Sequence, residues 1–503
     1  MKAWLRRWFS RRRSSQAMTT INAGDSDERL DPRIEPGAGI REPEGAASAL
    51  ASLGIPGSAP RCTDSAFELG STSPDVTLIE APLVLHHQSD TIQLDSGRVF
   101  FSVSPRVSIR FAGRTSTPPR NALDWAMTGW APETIEVSGT TLSGRVWGET
   151  VALNATFLGN GDKMAPEGEL RYLTMDRADS LSSVTFHILN FRDYVGDWID
   201  CDGHRYRGRL VFEAEGWRVT LDQRSSFKEL QESLRAVGGY AFTHIGLLQR
   251  IDGAVFTSDE AEDVLAGLHW FLSFMRGTWV CPILFSGIDS IDSIVWQRWD
   301  AGRVSPWAGP PSWCDTVYWD AAKEAFITFM AQWRDPFERS VLKTGIGQYV
   351  SANKPSPVEL AIMVAQSGLE LLGWVEFVET GKIAKEAWKH SLTAANKMER
   401  LLQPGRIDTK IPNPLGSLFG LDSNWHSGPD VVAGVRNILV HPRKKDGALG
   451  WQGDVLTDAW MLATHYLERM LLRRLGVSKR IRSRLNPSPY VGAVEDPPWT
   501  RSP

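Results

Sequence analysis

The sequence predicts an α+β multidomain protein, on three observations. The chain has 503 residues, too many for one ordinary core when domains average roughly 150 residues. Residues 77–224 read as strands, rich in Val, Phe, Thr and Trp with partial two-residue alternation. After residue 314 the strand signals stop and apolar residues recur at helical spacing. The parts expected in order are an unstructured lead over 1–75, an antiparallel, sandwich-like β domain over 76–224 and an α+β unit over 225–313. An all-helical domain over 314–485 and an unstructured tail over 486–503 complete the chain.

Composition narrows the function classes. With 42% hydrophobic and 23% charged residues, the chain has the balance of a soluble globular protein. A formal net charge of −4 excludes a constitutive nucleic-acid coat. Arg outnumbers Lys by 41 to 14, a skew that suits phosphate recognition and that codon usage produces equally well. Cys62, Cys201, Cys281 and Cys314 are scattered with no C-x-x-C pair, which argues against a zinc knuckle and a disulfide scaffold. A reducing cytoplasm fits, and no metal or cofactor is expected. No apolar run approaches the ~18 residues of a membrane span, so no stable membrane insertion is expected. The opening MKAWLRRWFSRRR lacks the apolar core of a signal peptide. It reads as a basic tail or as a short membrane-surface or nucleic-acid anchor.

Each element has a local reason. Residues 1–75 are rich in Ser, Gly, Pro, Ala and charge, a composition that buries too little to fold. RVFFSVSPRVSIRFAG, TIEVSGTTLSGRVWG, VALNATFLG, SVTFHILNF and YRGRLVFEAEGWRVTLDQ are strand-like and punctuated by Gly, Asn and Asp. No helix lies between them, so their pairing should be antiparallel. SSFKELQESLRAV predicts a helix capped by Ser225 or Ser226, with Glu229 closing a capping box. YAFTHIGLLQRID predicts a strand. SDEAEDVLAGLHWFLSFMRG predicts a helix with acids at its first turn and Gly277 at its end. WVCPILFSG and SIVWQRWD predict two more strands. Five helices are then expected over 316–341, 357–379, 382–402, 429–441 and 454–475.

One stretch carries chemistry: SGPDVVAGVRNILVHPRKKDG, residues 427–447. Ser427 or Gly428 can cap a helix whose first turn takes Pro429. Val432, Val435, Ile438 and Leu439 form its buried stripe, Arg436 flanks that stripe, and Asn437 and His441 face away. Pro442 ends the helix at or near His441. A guanidinium can hold a phosphate bidentately, and an imidazole of pKa ~6.5 can move a proton at neutral pH. Together they suit attack of an RNA 2′-OH on its neighbouring phosphate without metal. Arg436 and His441 lie ~140° apart on an ideal helix. One copy therefore closes on a substrate only if the helix frays, and otherwise two copies meet across a dimer. A plain Arg near a C-capping His gives the same spacing. Residues 434–484 hold eleven basic and four acidic residues, a +7 stretch that would attract phosphate or serve as a solvated helix end.

RNILVHP, with a helix before it and a basic loop and long helix after it, resembles the HEPN family. Arg436, Asn437 and His441 match its Arg-polar-His motif. The helix VELAIMVAQSGLELLGWVEF is similar to the early HEPN helix, with Glu370 at its acidic position. GGYAFTHIGLLQRIDGAVFTSDEAEDVLAGLHWFLSFMRGTWV resembles the segment preceding the HEPN domain in ApeA-like bacterial proteins. The resemblance implies a metal-independent endoribonuclease of phage defence or toxin type, with a helical-bundle C-terminal domain. It implies His441 as the proton-transfer residue, Arg436 as the phosphate clamp, Asn437 as a positioning residue and Glu370 as an orienter. Arg443, Lys444 and Lys445 would bind RNA, a homodimer would form through the helices, and the β domain would read a trigger ligand. HEPN domains also serve as binding or dimerisation modules. The competing expectation is accordingly a non-catalytic sensor of a carbohydrate or nucleotide, with Trp125 and Trp130 as candidate platforms.

Weaker candidates are Cys201, Asp202 and His204 as a partial metal or thiol site, His86–His87 as a loop pair near a strand, His269 as a core or boundary residue, and His465 or Tyr466 as cleft residues. Gln366 and Glu370 share a helix face. No G-x-x-x-x-G-K-S/T loop is present, so no ATP-driven chemistry is expected.

Overall fold

In the computed structural model of the chain, the described residues are 61–67, 69, 75–87, 90–118, 136–140, 145–158, 163–175, 177–201, 203–354, 357–441, 453–486 and 490–501. Most of the expected 1–75 lead, the opening basic segment, Trp125, Trp130, Asp202, Pro442 and Arg443–Lys445 lie outside them. The architecture is α+β and multidomain, a large antiparallel sheet with helices, built around two hydrophobic cores.

The N-terminal strands are β1 (Asp75–Glu80), β2 (Leu83–His87), β3 (Asp90–Leu94), β4 (Ser96–Ser102), β5 (Ser108–Arg114), β6 (Glu136–Thr140), β7 (Arg145–Leu158) and β8 (Lys163–Thr174). The central strands are β9 (Ser183–Leu189), β10 (Asp197–Cys201), β11 (His204–Ala214), β12 (Trp217–Gln223), β13 (Phe242–Arg250), β14 (Pro282–Ile288) and β15 (Ile294–Asp300). Their order is β10-β11-β12-β13-β9-β14-β15-β8-β7-β6-β2-β3, and β1-β4-β5 joins at β8. Alternating apolar residues of the N-terminal strands, among them Leu83, Leu85, Val99, Phe101, Ile109 and Phe111, fill the first core. His86 and His87 are strand residues of β2 rather than loop residues.

β9 is buried at every position. Val184, Phe186 and Ile188 face the second core, while His187 and Leu189 turn to the first, His187 packing on Phe67 and Phe242. The second core runs from Leu181 to Ile481 and takes in strands and helices alike. It therefore crosses both borders expected at 224/225 and 313/314. β9–β12 look like the strands before them in composition, but β9 lies between β13 and β14, and that neighbour choice is long-range.

The helices are α1 (Phe227–Val237), α2 (Ser258–Arg276), α3 (Asp320–Trp333), α4 (Pro336–Ala352), α5 (Val358–Trp374), α6 (Lys385–His390), α7 (Ala394–Leu402), α8 (Gly428–Val440) and α9 (Gly453–Arg474). α2 starts on a capping box in which Thr257 accepts from the Glu260 amide, and it ends on Gly277 at φ 75°. A Cβ there would meet Asn353 Nδ2 at 2.5 Å and Pro311 O at 2.7 Å, so glycine serves both the left-handed turn and the close approach.

Three expectations are corrected. α1 has no capping box: Ser226 sits at φ −88°, ψ 19°, outside the extended geometry that aims a cap side chain at the helix amides. The helix expected over 316–341 is two, because Asp335 caps Glu338 N and Pro336 opens a new first turn. The helix expected over 382–402 also breaks, where Thr393 caps Asn396 N.

By length and composition the 22-residue segment Val358–Glu379 is long and apolar enough to cross a membrane. In the fold it is α5 with a π-helical extension, packed against α4, α7, α8 and α9. Residues expected as a loose tail are also engaged. β16 (Ile481–Arg482) pairs with β17 (Val494–Glu495), and Trp499 Nε1 donates to Val477 O at 2.6 Å.

Candidate functional site

α8 is set by a reciprocal cap. Ser427 Oγ accepts from Asp430 N at 3.2 Å, and the Asp430 carboxylate accepts from Ser427 N at 3.0 Å. Pro429 occupies the first turn. Val432 and Val435 are buried, Ile438 and Leu439 half-buried, and Val431 and Ala433 add to the packed face. Ser427→Ala is expected to cost about 1 kcal/mol, the usual worth of an N-cap, measurable as a small loss in thermal unfolding temperature.

Arg436 is half-buried, and Asn437 and His441 are exposed. Arg436 Nη1 donates to Asn437 Oδ1 at 3.1 Å. The helix stops at Val440. His441 is its C-cap at φ −127°, ψ 65°, its N–H still bonded to Asn437 O at 2.8 Å. The wheel separation of Arg436 and His441 is thus relaxed only at the last residue, and no side-chain hydrogen bond joins the two. Together the three side chains offer a cation, an amide and an imidazole to solvent at one helix end.

Glu370 makes no hydrogen bond to this group among the described residues. It is exposed on α5, its Oε1 accepts from Gln366 Nε2 at 3.3 Å, and no ion pair joins it to Arg436 among the described residues. Tyr466 is a core residue whose hydroxyl reaches Asp408 O at 3.4 Å. His465 is half-buried, and burial pushes its pKa well down, with Arg469 and Arg484 adding to the effect. His269 Nδ1 contacts Val280 O at 2.7 Å at the edge of the second core.

The +7 stretch is not one surface patch. Arg469 and Arg484 are buried, paired with Glu495 and Glu468, and Arg474 pairs with Glu338. Arg484 Nη2 meets Glu468 Oε2 at 2.6 Å, Tyr349 OH donates to the same oxygen at 2.7 Å, and Arg484 Nη1 reaches Asn353 Oδ1 at 3.1 Å. Sequence reasoning missed this buried cluster, and it also missed Arg192 and Arg276 near the C-terminal end of α2. The one local hint is Arg276 closing the apolar run FLSFM.

Comparison with known proteins gives matches over the parts that share the second core. Residues 176–310 match the family model described as the YopA central domain, and residues 335–495 match the YopA C-terminal domain. No solved structure matches the chain. Over 326 residues the chain is 27% identical to the SPbeta prophage-derived uncharacterized protein YopA of Bacillus subtilis (strain 168), an overlap of 63% of this chain and 72% of that protein.

Proposed function

We propose that the protein is a HEPN-type endoribonuclease, similar in layout to ApeA-like proteins, that cuts RNA without a metal and acts as a homodimer in the cytoplasm. One observation carries the reading: Arg436, Asn437 and His441 gather at the exposed end of α8, with the guanidinium bonded to the amide beside it. In the proposed reaction His441 takes the proton of an RNA 2′-OH and the oxygen attacks the adjacent phosphorus. The bond to the 5′-oxygen breaks, and that oxygen leaves with a proton. The products are a 2′,3′-cyclic phosphate and a 5′-OH. Arg436 holds the phosphate oxygens as charge grows on them, and Asn437 fixes the guanidinium. Arg436 and His441 share no hydrogen bond within one copy, which favours a site completed by a second copy across a two-fold axis. Glu370 is retained only as an orienter that would act on substrate binding, and Arg443, Lys444 and Lys445 as RNA contacts. The β-rich part would hold the trigger ligand that releases the activity. Similarity to a protein named as prophage-derived suits a phage-defence or toxin role.

The test compares wild type with Arg436→Ala and His441→Ala for growth arrest on expression and for RNA cleavage by purified protein in a chelator. The expected result is chelator-insensitive cleavage by wild type, reduced by about 10²–10⁴-fold in either variant. Wild type that leaves RNA intact, or variants as active as wild type, would overturn the proposal. Cleavage that needs added metal would overturn its mechanism.

A further inference from the structure

Two arginines beneath the surface segment that links the sheet to the helices have no counter-charge. Arg276, the last residue of α2, is 1% exposed. Its Nη2 donates to Ala308 O, and its Nε and Nη1 are buried with no partner. Arg192 follows β9, is half-buried, and gives Nη2 to Pro310 O at 2.6 Å, two residues further along the same segment. The hydroxyl of Tyr194 is fully buried and lies beside the Cys314 thiol. No carboxylate forms an ion pair with either guanidinium among the described residues. The neighbouring Asp315 spends its oxygens on the backbone amides of Val317, Tyr318 and Gly492.

Such an arrangement is costly as it stands. A buried guanidinium is tolerated when paired, and two like charges side by side raise the cost. Burial, and after it the Arg192 charge, push the pKa of Arg276 well down, yet an arginine does not shed its proton in a protein. The remaining way to neutralise the pair is an anion. The ceiling is a loop with exposed Ala308 and Gly309 and half-buried Trp307, whose ring lies 5.4 Å from the Arg276 guanidinium. The floor is firmly held: Asn353 Nδ2 donates to Gly277 O and Pro311 O at 2.8 Å, and Ser312 Oγ donates to Met275 O at 2.5 Å.

We propose that Arg192, Arg276 and Tyr194 form a binding site for a phosphoryl group beneath the 307–311 loop, entered from the Arg192 side. One fork satisfies a planar carboxylate. Two forks with a phenol offer donors in more than one direction, which matches the tetrahedral oxygens of a phosphate. The proposal stands independently of the ribonuclease reading, since none of these residues belongs to the end of α8. The phosphoryl group could come from free orthophosphate or from a phosphate ester such as a nucleotide.

The test is thermal unfolding and calorimetric titration of the full chain with orthophosphate, adenosine monophosphate and adenosine triphosphate. Wild type is expected to gain a few degrees in unfolding temperature at saturation with at least one of them. A response to orthophosphate identifies the free ion as sufficient, and a response to the nucleotides alone identifies the ester. Arg276→Met removes the unpaired charge and is expected to unfold no earlier than ligand-free wild type while losing the response. Tyr194→Phe keeps the ring and is expected to weaken binding about tenfold, which also serves should Arg276→Met fail to fold. The absence of any response in wild type, or a response unchanged in Tyr194→Phe and in whatever Arg276→Met folds, would overturn the site.

Discussion

Replacing Glu468 by Gln is expected to lower the unfolding free energy by about 3–5 kcal/mol, the usual cost of leaving one member of a buried ion pair alone. Glu468 and Arg484 have side-chain exposures of 1% and 2%, so water cannot take over for the missing charge. The same carboxylate oxygen accepts the buried Tyr349 hydroxyl, and the amide that replaces it must satisfy two donors with weaker attraction. The double replacement Glu468→Leu with Arg484→Met removes both charges and is expected to recover most of the loss. Denaturant titration of Glu468→Leu, Arg484→Met and the double variant measures the coupling. A Glu468→Gln loss below about 1 kcal/mol, the range of exposed pairs, would show that the pair is not desolvated in solution.

The second large effect is acid lability. His187 and His244 are both 0% exposed. His187 has one ring nitrogen on Ser65 Oγ at 2.8 Å and is within hydrogen-bonding reach of the Leu284 backbone. His244 has Nδ1 on Thr243 Oγ1 at 3.1 Å and Nε2 unpartnered. Burial is the leading cause that pushes their pKa values down, to about 4 for His187 and about 3 for His244. In the unfolded chain both titrate near ~6.5. Between those values the unfolded state binds protons that the folded state refuses, so stability is complete above pH ~6.5 and falls as the pH drops toward 4. Two such groups give a slope of about 2.7 kcal/mol per pH unit at its steepest. His269 and His465, both shifted downward mainly by burial, add in the same direction. Unfolding temperatures measured from pH 7.5 to 5.0 should fall steeply below pH 6.5, and His244→Gln should flatten the curve. A flat profile across that window would mean that both rings are reached by water.

Local signals in the sequence account for much of the fold. The strands β9, β13, β14 and β15 and helices α2, α8 and α9 lie where alternation, caps and Gly277 place them. Where the reading departed, the signal was local but ambiguous. Asp335–Pro336 is a helix start as well as a helix interruption, and Thr393 is a cap as well as a helix residue. Ser226 and Glu229 have the right spacing for a capping box, but backbone geometry at Ser226 decides the outcome. The helix that carries Arg436, Asn437 and His441 was legible for the same reason, since Ser427, Pro429 and Pro442 mark its ends. The relation of Glu370 to Arg436 was not legible, because it depends on how α5 meets α8. Nor could the sequence tell Arg469 and Arg484 from the other arginines, and for Arg276 the apolar run before it is a hint without a partner. An arginine becomes a buried one through partners that lie far along the chain: Ala308 for Arg276, Glu495 for Arg469 and Tyr349 for Arg484.

The second core, which joins residues of strands and helices between Leu181 and Ile481, also bears on how such a gene can change. A recombination point inside this span would combine sheet-side residues from one parent with helix-side residues from another. Their shapes would have had no shared history of mutual adjustment, and mismatched volumes in a dense interior are destabilising. Crossovers that survive should therefore cluster outside 181–481, so that this stretch travels between genomes as one heritable block.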